Sequence, residues 1–226
     1  MNSVRWAVAE WPVSIRMLGA RLKSLAFTAG ALDGFSVERI RDDFLDATYI
    51  EKIATQEVTT DPFGREEVIE RISYKRSAFS LYADLPNLEI KSISRSNRDL
   101  TNKLLEVCNF KLTLIVPNVN PIMWIECLQS SLDASALIDS LQISRLDVEP
   151  GVTAKVLLKG TKDVREALDH LAQQKTYSLD KVQAKIAFDS RQATIQLSSN
   201  GSAKFSDDHV STLRPALRAA LKAVLA

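Results

Sequence analysis

Long stretches of this chain alternate β-branched or aromatic residues with polar ones, and this alternation predicts strands. Residues 49–59 and 68–83 are both of this kind, and between them lies Asp61-Pro62-Phe63-Gly64, a strong turn sequence. The two segments are therefore predicted to pair as a long hairpin. Further strand patterns are found at residues 88–94, 110–116, 122–128, 141–148, 152–158, 182–188 and 193–197.

Apolar residues at helical spacing mark the remaining segments. Ile15, Leu18 and Leu22 predict a first helix that ends near Gly30, and Ser36 is expected to cap a second helix. The second helix is predicted to reach Asp46, with Phe44 and Leu45 on its buried side. Three more helices are predicted at residues 98–108, 163–173 and 212–226.

This order of elements predicts an α+β protein with mainly antiparallel sheets and with helices packed on one face. An N-terminal helical segment, residues 1–47, is expected to precede two similar β-β-α-β-β halves, residues 48–137 and 138–226. The alternative is that the two halves resemble each other only because hairpins and helices often alternate in α+β folds.

The composition of the chain is typical of a globular protein with a hydrophobic core. A chain of 226 residues with 46% hydrophobic and 25% charged residues is long enough to bury a full core. Its net charge of +1 gives no overall attraction to nucleic acid or to a membrane. Charged residues such as Arg5, Glu10, Arg16 and Arg21 interrupt the apolar N-terminal stretch, so we expect no signal peptide and no transmembrane segment. The predicted location is cytoplasmic.

Residue types that usually carry chemistry are scarce. The chain has two histidines and two cysteines, and it has no glycine-rich phosphate loop, GxSxG or HExxH motif. These residues and motifs normally supply a base near neutral pH, a metal ligand or a phosphate cradle. The sequence therefore predicts a non-catalytic protein with no cofactor and no metal.

One short motif gives an alternative. Glu89-Ile90-Lys91 lies on a predicted strand, with Asp84 upstream and Asp61 as a second choice for the first acid. This arrangement resembles the PD-(D/E)xK nucleases, and the resemblance implies a divalent cation held by Asp84 and Glu89, with Lys91 positioning a water. The family places its aspartate farther from the Glu-x-Lys residues than the five positions found here. The other interpretation is a solvent-facing strand edge.

Charge is unevenly distributed along the chain. Residues 33–70 carry eleven acidic and four basic side chains, whereas residues 71–111 carry eight basic and four acidic ones. Neighbouring blocks can complement each other within one fold. The basic block can also bind nucleic acid, with Tyr74 and Tyr82 as stacking rings. The candidates for such contacts are Arg71, Lys75, Arg76, Arg95 and Arg98.

The C-terminal helix has a continuous apolar stripe, which is predicted to dock either on the body of the protein or on a partner. The stripe consists of Leu213, Leu217, Leu221 and Val224. The sequence as a whole predicts a macromolecule-binding subunit or adaptor of a cytoplasmic complex, with a protein partner or a second copy of itself. A nucleic-acid-binding protein is the alternative.

Overall fold

The structure, a computed structural model, describes residues 1–60, 62–91, 97–173 and 175–226, except for the side chains of Glu67 and Asp207. It confirms a mixed α+β fold with extensive antiparallel sheet, and five α-helices lie in the described part of the chain. The helices are α1 (Ile15–Ser24), α2 (Arg98–Val107), α3 (Pro121–Leu132), α4 (Arg165–Leu171) and α5 (Val210–Leu225).

Eleven strands accompany these helices in the described residues. They are β1 (Asn2–Glu10), β2 (Asp33–Ile40), β3 (Phe44–Thr60), β4 (Glu66–Tyr82), β5 (Leu88–Lys91), β6 (Thr113–Ile115), β7 (Ser135–Glu149), β8 (Val152–Lys159), β9 (Ser178–Phe188), β10 (Arg191–Ser198) and β11 (Ser202–Phe205). The long hairpin predicted from residues 49–83 is confirmed as β3 and β4, which pair with each other over their full lengths.

The chain forms two compact units, and each is assembled from separate segments. Unit 1 contains Met1–Ala9, Leu85–Glu89 and Leu114–Ala226. Unit 2 contains Glu10–Asp84 and Ile90–Thr113. The division into residues 1–47, 48–137 and 138–226 stays a prediction.

Unit 1 is a sheet with the strand order β1-β11-β10-β9-β7-β8, against which α3 packs together with α5. Its largest buried side chains include Trp6 and Trp124, whose rings meet edge to face with centroids 5.8 Å apart. Trp124 Nε1 donates a hydrogen bond of 2.9 Å to the carbonyl oxygen of Leu217 on α5. A buried indole N–H therefore ties α3 to α5.

Unit 2 is built on the antiparallel strands β2, β3 and β4, with α1 packed on β2 and β3. Ser14 caps α1, since its side-chain oxygen accepts a hydrogen bond from the Met17 amide at 3.3 Å. Leu18 and Leu22 on α1 are fully buried, as is Leu45 on β3. These side chains form the core of the unit.

Two expectations about the first half of the chain are wrong, and a third is not confirmed. The N-terminal segment begins with a strand, β1, where Val4, Trp6 and Val8 alternate in the sequence, so a wholly helical N-terminal segment is not confirmed. The helix predicted at residues 36–46 is instead the end of β2, a turn and the start of β3, because the two strands pair with each other and this pairing overrides the helical spacing. The strand predicted at residues 122–128 is α3, which Asn120 caps by accepting a hydrogen bond from the Ile122 amide at 2.9 Å.

The two similar halves are not confirmed. After α2 the chain forms only the three-residue strand β6 and then α3, where the repeat required a hairpin. The later elements were predicted well, since α4, the β9–β10 hairpin and α5 lie close to their expected positions.

Gly201 is a sensitive position in unit 1. Its φ is +72°, and a Cβ there would lie 2.7 Å from the carbonyl oxygen of Trp6 and 3.0 Å from Pro117 Cγ. We expect Gly201→Ala to lower the free energy of unfolding by about 1–3 kcal/mol, because the backbone conformation disfavours a side chain and no space is available. Urea unfolding followed by tryptophan fluorescence measures this, since Trp6 and Trp124 are both in the unit 1 core.

Gly30→Ala is the matched control, because a Cβ at Gly30 meets nothing within 4 Å. It should leave the free energy of unfolding unchanged or raise it slightly, since alanine reduces the freedom of the unfolded chain. Equal losses in the two variants would contradict the steric explanation.

Candidate protein-binding surface

The distal halves of β3 and β4 extend past the part of the sheet that other elements cover. β3 and β4 pair without a register shift from Phe44 opposite Tyr82 to Thr60 opposite Glu66, whereas the β2–β3 pairs extend only to Glu51. Every described side chain of residues 53–60 and 66–74 is exposed. We call these two strand segments, together with residues 62–65 between them, the arm.

The arm carries apolar side chains on both faces. Val58 lies opposite Val68 on one face, which Ile72 also shares, while Ile53 and Ile69 belong to the other face. The exposed fractions of these five side chains run from 39% for Ile53 to 59% for Val68. Exposed apolar side chains on both faces of a two-stranded ribbon are more than a solvated hairpin needs, which makes the ribbon a candidate binding surface.

The root of the arm is firmly held within unit 2. Leu45, Phe79 and Leu81 are fully buried where β3 and β4 enter the core. Farther along, the ring of Tyr74 meets that of Phe27 edge to face, with centroids 6.0 Å apart. The exposed segment is therefore the continuation of two well-packed strands.

The far end of the arm is acidic and has an aromatic residue at its tip. In the sequence, residues 57–70 carry five acidic side chains and one basic side chain, a net charge of −4. Of the acidic residues, Asp61 lies outside the described residues and the side chain of Glu67 is not described. Phe63, in the turn, is 89% exposed. The tip thus combines an exposed aromatic ring with a strong negative charge.

A cluster of ion pairs lies near the root of the arm. Lys75 Nζ is 2.5 Å from Asp99 Oδ2 and 3.5 Å from Glu51 Oε2. The hydrogen bond from Lys75 lowers the pKa of the Asp99 carboxyl, and the same bond raises the pKa of the Lys75 ammonium. Burial, together with the charge of Asp33, raises the pKa of the nearby Tyr49 hydroxyl.

The predicted nucleic-acid contacts do not form one basic surface. Arg71 and Lys75 share one face of the β3–β4 hairpin, whereas Arg76 is on the other face. Lys75 is in the ion pairs just described, and Arg98 is an exposed residue at the start of α2. Arg95 lies outside the described residues. The assignment of these residues to nucleic acid stays a prediction.

Glu89 and Lys91, two residues of the nuclease-like motif, each contact different side chains. Glu89 is buried, and its Oε2 accepts a hydrogen bond of 2.9 Å from Trp6 Nε1, while Oε1 is 3.6 Å from Arg214 Nε. Lys91 Nζ is 2.5 Å from Asp46 Oδ1. Asp84 is exposed, and Asp61 lies outside the described residues. In the described part of the chain, no group of three His, Cys, Asp or Glu residues is placed to hold a metal ion.

The apolar stripe of α5 is part of the unit 1 core. Leu213, Leu217 and Leu221 are fully buried, and Val224 is partly buried against the same core. Docking of the helix is thus achieved within the chain, through α3 and the sheet.

Unit 1 also contains a polar cavity of about 630 Å³ near the start of β9. Asp180 lines it, but both of its carboxylate oxygens accept hydrogen bonds within the unit, from Ser144 Oγ at 2.6 Å and Gln142 Nε2 at 3.3 Å. This carboxylate therefore stabilises the wall of the cavity.

Sequence reasoning predicted the hairpin but did not identify its outer half as a surface. The available signal is the spacing of Ile53, Val58, Val68, Ile69 and Ile72, which puts apolar residues on both faces of one hairpin. A hairpin with one buried face normally alternates more strictly. The acidic turn next to this segment was the second signal.

The sequence has no match among protein-family models or among curated proteins. None of the helices in the described residues has the length and apolar character needed to cross a membrane.

Asp99→Asn should lower the free energy of unfolding by about 0.5–1 kcal/mol at pH 7, because it removes the charge that pairs with Lys75 on a partly exposed surface. The pKa of Asp99 is lowered in the folded state, so the contribution is fully present above the ordinary pKa of 3.8. It is lost as the pH falls through the lowered value. Urea unfolding at several pH values should show the two proteins converging as the pH falls below about 4.

Asp42→Asn is the matched control, since Asp42 pairs with Arg16 at 3.5 Å and both side chains are about four-fifths exposed. It should have no measurable effect on the free energy of unfolding at any of these pH values. A pH-independent loss in Asp99→Asn would contradict the electrostatic explanation.

Lys91→Ala should destabilise the protein by about 1.5 kcal/mol, because Asp46 would lose a charged hydrogen-bond donor at a site that is mostly buried. Exposed Lys111→Ala is the control for stability.

We expect no cleavage of DNA or RNA by the wild-type protein with Mg²⁺ or Mn²⁺. Cleavage that disappears in Lys91→Ala would give this lysine a catalytic role instead.

Proposed function

We propose that this chain is a non-catalytic protein-binding subunit of a cytoplasmic complex, that it assembles with further copies of itself, and that the arm is its binding element. The observation that carries the proposal is the exposure of apolar side chains on both faces of a ribbon whose root is fully packed.

Energetics supports a partner for the arm. A two-stranded ribbon is marginally stable in water by itself. Val58, Val68 and Ile72 are each about half exposed, and covering the exposed part of such a side chain is worth roughly 1 kcal/mol. Within the described residues, the strand that pairs with residues 53–60 is β4, along one edge of the segment. A second protein surface would cover the apolar side chains, and it could also pair with the backbone along the other edge.

The charges near the arm favour a protein partner over nucleic acid. The distal part of the arm is acidic, which repels phosphates. In the basic block, Lys75 is paired with Asp99, Lys91 with Asp46 and Lys103 with Asp33. These lysines contribute to the stability of unit 2, and their charge is largely compensated there.

The test is the mass of the protein in solution as a function of concentration, measured by light scattering after size exclusion. The wild-type chain should form species larger than a monomer. Val58→Asp with Ile72→Asp should reduce these to monomer with little change in melting temperature, because both side chains are exposed and outside the core.

Val152→Asp with Leu157→Asp is the matched control, since it adds the same two charges at exposed apolar positions of β7–β8 in unit 1. This control should assemble like the wild type. A wild-type chain that stays monomeric at every concentration contradicts the proposal, and so does an arm variant that assembles normally.

A further inference from the structure

A basic groove lies in unit 2 between α1 and the end of β2. The cavity has a volume of about 580 Å³, and its lining consists of Arg16, Ala20, Lys23, Ile40, Arg41 and Asp42. Three of these side chains are basic and one is acidic, which leaves the lining with a net charge of +2. Ala20 and Ile40 are the apolar residues of the lining, and Asp42 is 3.5 Å from Arg16.

Gly19 lets α1 pack closely against the strands beside this groove. A Cβ at Gly19 would lie 2.8 Å from Ile40 Cδ1 and 3.0 Å from Leu45 Cδ1, so a larger residue there would push α1 away from them. The exposed Arg16 on α1 is 3.5 Å from Asp42, in the turn after β2. The two sides of the groove are therefore held together within unit 2.

The tip of the arm has the complementary chemistry. Its net charge of −4 over residues 57–70 is opposite in sign to the net charge of the groove lining. The ring of Phe63, which is 89% exposed, can pack on the apolar side chains of Ala20 and Ile40. An aromatic anchor surrounded by charges opposite to those of the pocket is a common way to combine affinity with specificity.

The arm cannot reach the groove of its own chain. The groove lies beside Ile40, which pairs with Leu45, and the tip begins after Thr60. Fifteen residues of continuous strand separate Leu45, beside the groove, from Thr60, before the tip. This is a distance of roughly 50 Å at about 3.3 Å per residue. The strand runs without a register shift between them, so the tip and the groove are at opposite ends of β3.

We infer that the arm tip of one copy docks in the basic groove of a second copy, in a head-to-tail contact. This inference rests on the proposed function and names the surface that accepts the arm. A contact of this kind leaves one free tip and one free groove on every pair, so repetition gives a ring or a filament. Pairing of two arms with each other is disfavoured, since it would bring together two tips with a net charge of −4 each.

Charge reversal tests the contact from both sides. Glu66→Lys with Glu70→Lys changes the arm, and Arg16→Glu with Arg41→Glu changes the groove. All four side chains are exposed, and the variants are expected to keep the wild-type melting temperature. Each variant alone should raise the apparent dissociation constant of self-assembly at least about tenfold, because like charges then face each other.

Mixing the two variants gives the decisive result. In an equimolar mixture the reversed arm meets the reversed groove, and the unchanged acidic arm meets the unchanged basic groove. Assembly should return to within about threefold of the wild-type constant, measured by sedimentation velocity. Phe63→Ala should weaken assembly at least about tenfold without any rescue by the charge variants, because it removes the aromatic anchor.

Different failures have different meanings. A wild-type chain that is monomeric throughout contradicts the proposed function and this inference together. Assembly that depends on Val58 and Ile72 but is unaffected by Arg16→Glu with Arg41→Glu contradicts this inference alone, since the arm would then contact another surface. Loss of assembly in both charge variants without rescue on mixing also overturns the head-to-tail contact.

Discussion

The uninterrupted pairing of β3 with β4 is the constraint on which the rest of unit 2 depends. Seventeen consecutive residue pairs keep one register, so the side chains that fill the core and the side chains of the arm belong to the same two strands. Leu45, Phe79 and Leu81 fix these strands at one end. Their direction at the other end follows, because a paired strand has little freedom to bend without a bulge.

Several parts of this fold could be predicted from the sequence, because they depend on local patterns. The turn at Asp61-Pro62-Phe63-Gly64 and the β-branched residues on either side define the hairpin, and the apolar spacing of α5 defines the last helix. Errors occurred where pairing with another strand, rather than the spacing of apolar residues, decides the local structure. Residues 36–40 form a strand because Tyr49 and its neighbours on β3 pair with them.

The candidate surface was harder to predict, because whether a residue is exposed depends on which other elements of the fold cover it. Val58 and Leu217 are both apolar residues at regular spacing, yet Leu217 is fully buried and Val58 is 56% exposed. The difference lies in α3, which packs against α5, and in β2, which pairs with β3 only as far as Glu51. Likewise, the basic block was visible in the sequence, but the pairing of Lys75 with Asp99 was not.

The composition of unit 1 from separate segments has a consequence for the order of folding. Arg5 on β1 donates a hydrogen bond to Ser202 on β11, and these residues are 197 positions apart. The β3–β4 hairpin, in contrast, joins neighbours in the chain, and such local contacts form early. During synthesis the hairpin can therefore pair while β1 still lacks β11, the strand beside it in the finished unit. We therefore expect completion of unit 1 to follow the hairpin, since it brings two distant segments of the chain together.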